Sequence, residues 1–246
     1  MKSDSAGGSG SNDESGKLLG LGDLSGELAA LEAEVSACRS CSRLVEWRER
    51  IGREKRAAYR DQHYWARGVP GFGDPRAHLL VVGLAPAAHG ANRTGRMFTG
   101  DRSGDWLYRA MHRAGYANQP ESAGRDDGLA LSGAWVTSVV KCAPPANKPA
   151  PAERDACAGF LRRELRALGA LRVIVVLGGF AHQAVWRELG AGPRPRFGHG
   201  AEAELAQGWA LLSSYHPSQQ NTFTGRLSEG MLDAVFARAR QLADSA

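Results

Sequence analysis

The chain has 246 residues, of which 43% are hydrophobic and 23% are charged, so it is long enough to bury a core and has the balance of a soluble globular protein. Its formal net charge of +5 at pH 7 favours a polyanionic partner, because basic side chains release the counterions condensed on phosphates. No apolar run approaches the roughly 20 residues of a membrane helix, and residues 1–16 lack the apolar stretch of a secretory signal. We therefore expect a cytoplasmic protein that does not enter a membrane.

The N-terminal part of the chain divides into a polar tail and two helical segments. Residues 1–18 are rich in Ser, Gly, Asn and Asp, which predicts a disordered tail. Residues 19–246 are then expected to form a single domain. Apolar residues recur at helical spacing from Asp23 to Ala37, and the charged stretch from Arg43 to Arg67 indicates a second helix and a loop.

From residue 78 onward, short apolar runs alternate with helical patterns. The apolar runs predict four buried strands: His78–Leu84, Ala134–Val140, Leu171–Leu177 and Ala210–Ser214. The helical patterns, the first with Ser103 as its N-cap, are Ser103–Ala114, Pro151–Leu168, Gly178–Leu189 and Ser228–Leu242. This alternation predicts an α/β fold, with three α/β/α layers around a central, mainly parallel four-stranded sheet.

Unusual loops follow three of the predicted strands. They are Ala85–Asp101, Lys141–Pro149 and Tyr215–Gly225. Ligands of open α/β sheets bind outside the carboxyl ends of the strands, so these loops predict a site there. In the first loop, Phe98 lies among Arg93, Arg96 and Arg102. An aromatic ring beside basic residues can stack on a base while the guanidinium groups hold phosphate.

The four cysteines of the chain are Cys38, Cys41, Cys142 and Cys157. Disulfides are rare in a reducing cytosol, and the C-x-x-C pair lets two thiolates converge on one metal centre. Cys142 ends the second predicted strand and Cys157 lies in the following helix, so both can meet the N-terminal pair. Four cysteines suit either zinc or a [4Fe–4S] cluster, and their spacing alone leaves both open.

The three loops carry motifs that resemble a known family. GLAPAAHGANRTGRMFTGD begins at Gly83, KCAPPANKP spans Lys141–Pro149, and YHPSQQN spans Tyr215–Asn221. Together they resemble the family 5 (type b, iron–sulfur-containing) uracil-DNA glycosylases of the uracil-DNA glycosylase superfamily, over about residues 33–242. Ala87 and Ala88 stand where many superfamily members carry an acidic or amide side chain, which fits family 5 and argues against family 4.

The resemblance implies a DNA-repair enzyme that flips deaminated bases out of DNA. Its expected substrates are uracil and also hypoxanthine and xanthine, and hydrolysis of the N-glycosidic bond would leave an abasic site that initiates base excision repair. No lysine stands out as a Schiff-base nucleophile, so we expect a monofunctional enzyme, and we expect it to be a monomer. The resemblance also favours a structural [4Fe–4S] cluster over zinc.

Three residues have catalytic roles by this resemblance. His216 would donate a hydrogen bond to uracil O2 as negative charge develops there. Asp101 would orient water or stabilise the cationic sugar, and it is also placed to cap the helix that follows it. Asn147 would pair with a base edge or position water, although it also suits a turn.

Five further residues are expected to bind the substrate. They are Gly83, Leu84, Ala85, Phe98 and Asn221. Phe98 is the candidate stacking face for the flipped base, with a buried structural role as the competing interpretation. The polar loop Gln219–Gly225 carries Phe223 near its tip and is expected to enter the minor groove, where an apolar wedge fills the space left by the base.

Three alternatives remain at this stage: a uracil-only glycosylase similar to family 4, a non-catalytic iron–sulfur DNA-binding protein, and a zinc-stabilised α/β hydrolase. Small residues around Ala85–Ala91 favour a roomier pocket that admits purine lesions. The positions of His216 and Asp101 favour catalysis over binding alone. The sequence contains no G-x-S-x-G or H-E-x-x-H motif, which argues against the hydrolase.

Overall fold

The structure, a computed structural model, describes residues 21–245; the tail expected over residues 1–18 lies outside them. The helices are α1 (Leu21–Ala37), α2 (Ser42–Glu54), α3 (Ala91–Thr94), α4 (Arg102–Arg113), α5 (Pro151–Ala167), α6 (Gly179–Leu189), α7 (Gln219–Phe223) and α8 (Glu229–Asp244). The strands are β1 (Phe72–Gly73), β2 (Leu79–Gly83), β3 (Ala134–Ser138), β4 (Val173–Leu177), β5 (Glu202–Glu204) and β6 (Ala210–Ser214). None of the helices between residues 21 and 245 is long and apolar enough to cross a membrane.

The strands form one sheet in the order β1-β3-β2-β4-β6-β5. The four inner strands are parallel and correspond to the four predicted apolar runs. The predicted number of strands is wrong, because the sheet within residues 21–245 has six, with β1 and β5 added antiparallel at its edges. Neither edge strand contains an apolar run from which it could be predicted, since β1 has two residues and β5 is the partly exposed sequence Glu-Ala-Glu.

Alternate side chains of the inner strands divide the core into two layers. In β2, Leu79 and Val81 pack into the cluster that contains apolar residues of α4 and α8, whereas Leu80 and Val82 pack into the cluster of α5 and α6. This division follows from the two-residue repeat of a strand, which sends successive side chains to opposite faces. The predicted α/β/α arrangement is therefore confirmed.

The N-terminal helix is attached to the second of these layers. Leu28 and Leu31 of α1 belong to the cluster that contains α5. At the surface of the same contact, Arg163 of α5 donates hydrogen bonds to Glu27 at 2.7 Å and to Glu34 at 2.9 Å.

Two local predictions near the sheet's carboxyl edge are corrected. The first helical residue of α4 is Arg102 and its N-cap is Asp101, so the prediction of Ser103 as the cap is wrong. A carboxylate at this position is favoured by the partial positive charge of the helix N-terminus. The segment Gln219–Gly225, predicted to be a loop, contains the short helix α7, which is capped by the Ser218 hydroxyl.

Candidate active site

The three predicted loops meet around a cavity of about 600 Å³ at the carboxyl edge of the sheet. Its lining comes from the loop after β2, the first turn of α4, the loop after β3 and the loop after β6: Leu84, Ala85, Ala87, Asp101, Arg102, Ser103, Ala146, Asn147, His216, Ser218, Gln219 and Gln220. Parallel strands bring their carboxyl ends to one edge, which explains why segments distant in sequence converge here.

His216 begins the loop after β6 and lines the cavity. Burial lowers its pKa from the usual 6.5 to about 4, so the imidazole is neutral near pH 7. A neutral imidazole has one N–H donor and one acceptor nitrogen. The Asn221 side-chain amide donates a hydrogen bond of 2.8 Å to the His216 backbone carbonyl, which fixes the backbone that carries this ring.

Asp101 lines the same cavity and also caps α4. Its Oδ1 accepts a hydrogen bond of 3.0 Å from the Gly104 amide. Gly90 leaves room for the other oxygen, because a Cβ atom at position 90 would lie 1.9 Å from Asp101 Oδ2. Burial raises the pKa of Asp101, while the amide hydrogen bonds at the start of the helix oppose that shift. The capping and cavity-lining positions are therefore compatible.

Leu84, Ala85 and Asn147 also line the cavity. Asn147 is exposed and follows Ala146 in a turn where both residues have left-handed backbone, with φ values of 55° and 51°. Asparagine tolerates this conformation better than most residues. The turn leaves its carboxamide exposed at the cavity wall.

Gly83, Phe98 and Asn221 are not among the residues that line the cavity. Phe98 is only 5% exposed, and its ring centroid lies 5.8 Å from that of His216. Gly83 permits this packing, since a Cβ there would lie 2.7 Å from the Phe98 ring. Phe98 thus supports the His216 ring from behind the cavity, and its stacking on a flipped base stays a prediction.

The interpretation of Arg93 and Arg96 as phosphate ligands is wrong, because both are buried and their donors are used within the protein. Arg96 pairs with Asp127 at 2.7 Å and donates to the Thr99 hydroxyl at 2.9 Å. Arg93 donates to the Gly100 carbonyl at 2.8 Å. These contacts hold the loop after β2 in place.

Arg102, in contrast, is exposed at the rim of the cavity. Its guanidinium carbon lies 4.5 Å from the ring centroid of Phe223, a cation–π contact. Phe223 is 67% exposed and is the one large hydrophobic side chain within residues 26–245 that is exposed to this extent. An exposed aromatic ring and a free cation thus lie together beside the cavity.

His199 is a site-supporting residue that the sequence motifs do not identify. Its Nδ1 accepts a hydrogen bond of 3.2 Å from the backbone amide of Tyr215, the residue before His216, and its ring lies against the Tyr215 ring at 5.2 Å. Because His199 precedes this contact by 16 residues across an edge strand, no local pattern identifies it.

The four cysteines lie in one region of the protein as unpaired thiols. Arg48 joins two of their segments, since it donates to Cys142 Sγ at 2.9 Å and to the Cys38 carbonyl at 2.8 Å. Cys41, Cys142 and Cys157 contribute to the same apolar cluster. Burial raises the pKa of Cys142 to about 11. Among the side chains of residues 26–245, no three His, Cys, Asp or Glu groups converge as closely as a single metal ion requires.

The α/β fold, the cavity at its carboxyl edge and the paired His216 and Asp101 agree with one class of protein. The family model of the uracil DNA glycosylase superfamily matches residues 70–240. The type-5 uracil-DNA glycosylase of Mycobacterium tuberculosis is 56% identical to this chain, over 89% of this chain and 82% of that protein.

Two further relatives distinguish the families within this superfamily. The type-5 uracil-DNA glycosylase of Thermus thermophilus is 51% identical over 85% of this chain and 95% of that protein. The type-4 enzyme of Archaeoglobus fulgidus is 34% identical over only 48% of this chain and 52% of that protein. The chain belongs to the type-5 uracil-DNA glycosylase family, and the resemblance found in its three motifs is confirmed.

Proposed function

We propose that this protein removes uracil from DNA by hydrolysing the N-glycosidic bond, and so initiates base excision repair. The observation that carries this proposal is the cavity of about 600 Å³ that contains both a neutral His216 and the carboxylate of Asp101. Type-5 relatives that are 46–56% identical to the chain are named for this activity. The substrate would be a nucleotide flipped out of the duplex into the cavity.

His216 would stabilise the departing base. Cleavage of the N-glycosidic bond leaves negative charge on the base and positive charge on the sugar. A neutral imidazole can donate its N–H to uracil O2, and this hydrogen bond strengthens as charge develops on that oxygen. A preorganised donor of this kind contributes about 3–4 kcal/mol to transition-state stabilisation. Phe98 and Asn221 would keep the donor in position.

Asp101 would act on the sugar side of the bond. Its carboxylate is partly desolvated, so its interaction with a cationic sugar or with the attacking water is stronger than it would be in bulk water. Asn147 would pair with the base edge through the donor and acceptor of its carboxamide. These roles require residues from different loops to act together, and those residues line the same cavity.

The same cavity supports a monofunctional reaction and a broad choice of base. Among the described residues that line it, none is a lysine, and the nearby Lys141 is buried in an ion pair with Glu164 at 2.7 Å. This lining therefore offers no lysine amine that could form a Schiff base with the sugar. Ala85 and Ala87 leave space beside the base, so we propose hypoxanthine and xanthine as further substrates.

Phe223 and Arg102 would engage the duplex. The exposed ring is suited to enter the base stack as an apolar wedge, and Arg102 beside it is suited to contact the backbone phosphates. The polyanionic partner indicated by the net charge is, on this proposal, DNA that contains uracil or another deaminated base. A monomeric state and a cytoplasmic location stay predictions.

Cys38, Cys41, Cys142 and Cys157 would hold a [4Fe–4S] cluster rather than zinc. Their donor set is all sulfur, as such clusters require. Four thiolates can also hold a tetrahedral zinc ion, and membership of the type-5 family is what favours the cluster. The cluster would cross-link the N-terminal segment to the sheet. The buried guanidinium of Arg48 beside Cys142 suits an anionic group.

The test is a strand-cleavage assay on labelled duplexes that carry uracil, hypoxanthine, xanthine or no lesion, with alkali added after the protein. We expect alkali-revealed breaks at the lesions, reduced about 10²–10³-fold in His216→Ala and strongly reduced in Asp101→Asn. The matched controls are His112→Ala and Asp61→Asn, which alter exposed residues outside the cavity lining and should retain activity.

Other outcomes distinguish the alternatives. Breaks at uracil alone would restrict the protein to the narrower substrate range of a uracil-only enzyme. Tight DNA binding without any abasic product, from protein with its full iron content, would overturn the enzymatic proposal in favour of a binding protein. Breaks that need no alkali would contradict the monofunctional reaction.

A further inference from the structure

Arg48 is a buried cation without a carboxylate partner in the described part of the chain. It lies in α2 and is 1% exposed. Among residues 26–245 its guanidinium donates to a cysteine sulfur and to a backbone carbonyl and forms no ion pair with an Asp or Glu. Arg96, a comparable buried arginine, has the carboxylate of Asp127 at 2.7 Å. A buried charge is costly unless an opposite charge and hydrogen bonds compensate for its lost hydration.

The hydrogen-bond acceptors of Arg48 indicate which groups compensate its buried positive charge. Nη1 donates to Cys142 Sγ at 2.9 Å and Nη2 donates to the Cys38 carbonyl at 2.8 Å, whereas the buried Nε has no partner. A neutral thiol is a weak acceptor. A thiolate is negatively charged and accepts a strong, charge-assisted hydrogen bond. The guanidinium therefore matches the cysteines in the state in which they hold a cluster.

Arg48 also connects this region to the cavity. Its backbone carbonyl accepts a hydrogen bond of 3.3 Å from the side-chain amide of Asn92, a fully buried residue of the loop after β2. Its side chain contacts Cys142, which lies in the loop that carries Asn147. Two of the loops that line the cavity are thus attached to the same arginine.

We propose that Arg48 is the positioning residue that neutralises the cluster thiolates, sets the cluster's reduction potential and joins the cluster to the base-binding loops. This inference rests on the proposed [4Fe–4S] cluster. One-electron reduction adds a negative charge to a cluster, and hydrogen bonds and charges near its sulfurs tune its potential. The positive charge of Arg48 stabilises the reduced form and so raises the potential.

The experiment compares Arg48→Gln, Arg48→Lys and the control Arg53→Gln, which alters an exposed residue of the same helix. Each full-length protein is reconstituted anaerobically, its iron and sulfide are counted, and its potential is measured by spectroelectrochemical titration. We expect a more negative potential in Arg48→Gln and release of iron to a chelator about 10–100-fold faster than in wild type. Arg48→Lys should retain most of the potential, and Arg53→Gln should match wild type.

Several outcomes decide the matter. Wild-type potential and iron release in Arg48→Gln would overturn the proposal, and so would an equal shift in Arg48→Lys, because the charge would then not be the cause. If Arg48→Gln does not load iron while Arg48→Lys loads it with a normal potential, the role of the charge is supported. Wild-type protein that binds no iron would refute the cluster and this inference with it. The base-excision assay would remain a separate test of the enzymatic proposal.

Discussion

The loop after β2 and the loop after β6 form two walls of one cavity but are stabilised in different ways. The first, residues 85–101, is held by the buried Arg93 and Arg96, whose donors are directed at Gly100, Thr99 and Asp127. The second, residues 215–225, contains no arginine; the Asn221 amide donates to the His216 carbonyl at 2.8 Å, and the loop exposes Phe223.

The first loop is therefore suited to holding a catalytic group in position before the reaction, and the second is suited to contacting the substrate. Catalytic groups are most effective when the protein holds them in place before reaction, and the rigid loop holds Asp101 at its end. A wedge must instead be free to enter another molecule, and the second loop leaves its apolar tip in solvent. The arginines within the first loop are buried, whereas Arg102, which follows that loop, and Phe223 of the second loop are exposed.

The largest expected effect comes from breaking the rigid loop with Arg96→Met. Removal of the guanidinium takes the cation away from the Asp127 carboxylate, which keeps only backbone amide donors such as those of Ala123 and Leu129. Arg96 is the main reason that the pKa of Asp127 is lowered to about 2 in spite of burial. We expect unfolding free energy to fall by about 3–5 kcal/mol, measured by denaturant titration. Arg113→Met, which removes an exposed ion pair with Asp233, should cost no more than about 1 kcal/mol. Equal losses would contradict the role of the buried Arg96 in stabilising the first loop.

The His216 ring packs against Phe98 and so links the two loops. Because the His216 ring is buried, its protonation makes the free energy of unfolding depend on pH. Because the folded state lowers the pKa of His216 from 6.5 to about 4, the unfolded chain binds the proton more tightly. The contribution of His216 to stability should fall as pH decreases from 6.5 to 4, by up to about 3 kcal/mol, and should change no further below that range. Denaturation midpoints across this range, compared with those of His216→Asn, measure the contribution. An unchanged pH dependence in the variant would show that His216 is not its source.

Gly90→Ala should displace Asp101 while the loop stays folded. The added Cβ would lie 1.9 Å from Asp101 Oδ2, and the carboxylate must move away from it. A misplacement of about 1 Å costs about 10²-fold in rate, so we expect a loss of that order in single-turnover excision. Gly159→Ala, where no atom lies within 4 Å of the new Cβ, serves as the control. Full activity in Gly90→Ala would argue against a catalytic role for the observed position of Asp101.

The smallest expected effect concerns the exposed wedge. Phe223→Ala should lower kcat/KM on duplex uracil about tenfold, equal to about 1.4 kcal/mol, and leave stability unchanged because the ring is in solvent. Single-stranded uracil has no stack to enter, so its excision should change little. Phe223→Leu should retain most duplex activity. A loss that is equal on single-stranded and duplex substrates would assign Phe223 a role other than the wedge.

Much of the architecture follows from local patterns in the chain. The apolar runs identify all four inner strands, because a strand buried on both faces needs continuous hydrophobic residues. They miss β1 and β5, which pair at the edges and need no apolar run. The motifs also identify the three loops that meet at the cavity, since parallel strands direct their carboxyl ends to one edge.

The sequence by itself determined the family, the layered fold and the presence of His216, Asp101 and Asn147 in the loops that follow the strands. Only the tertiary structure decided which charged residues are free to act. Arg93 and Arg96 appeared equivalent to Arg102, but burial and long-range partners such as Asp127 occupy the first two. His199 and Arg48 support the site through contacts across distant segments. Sequence periodicity shows which face of a helix or strand is buried. It does not show which partners a charged side chain will have, because folding brings those partners from distant parts of the chain.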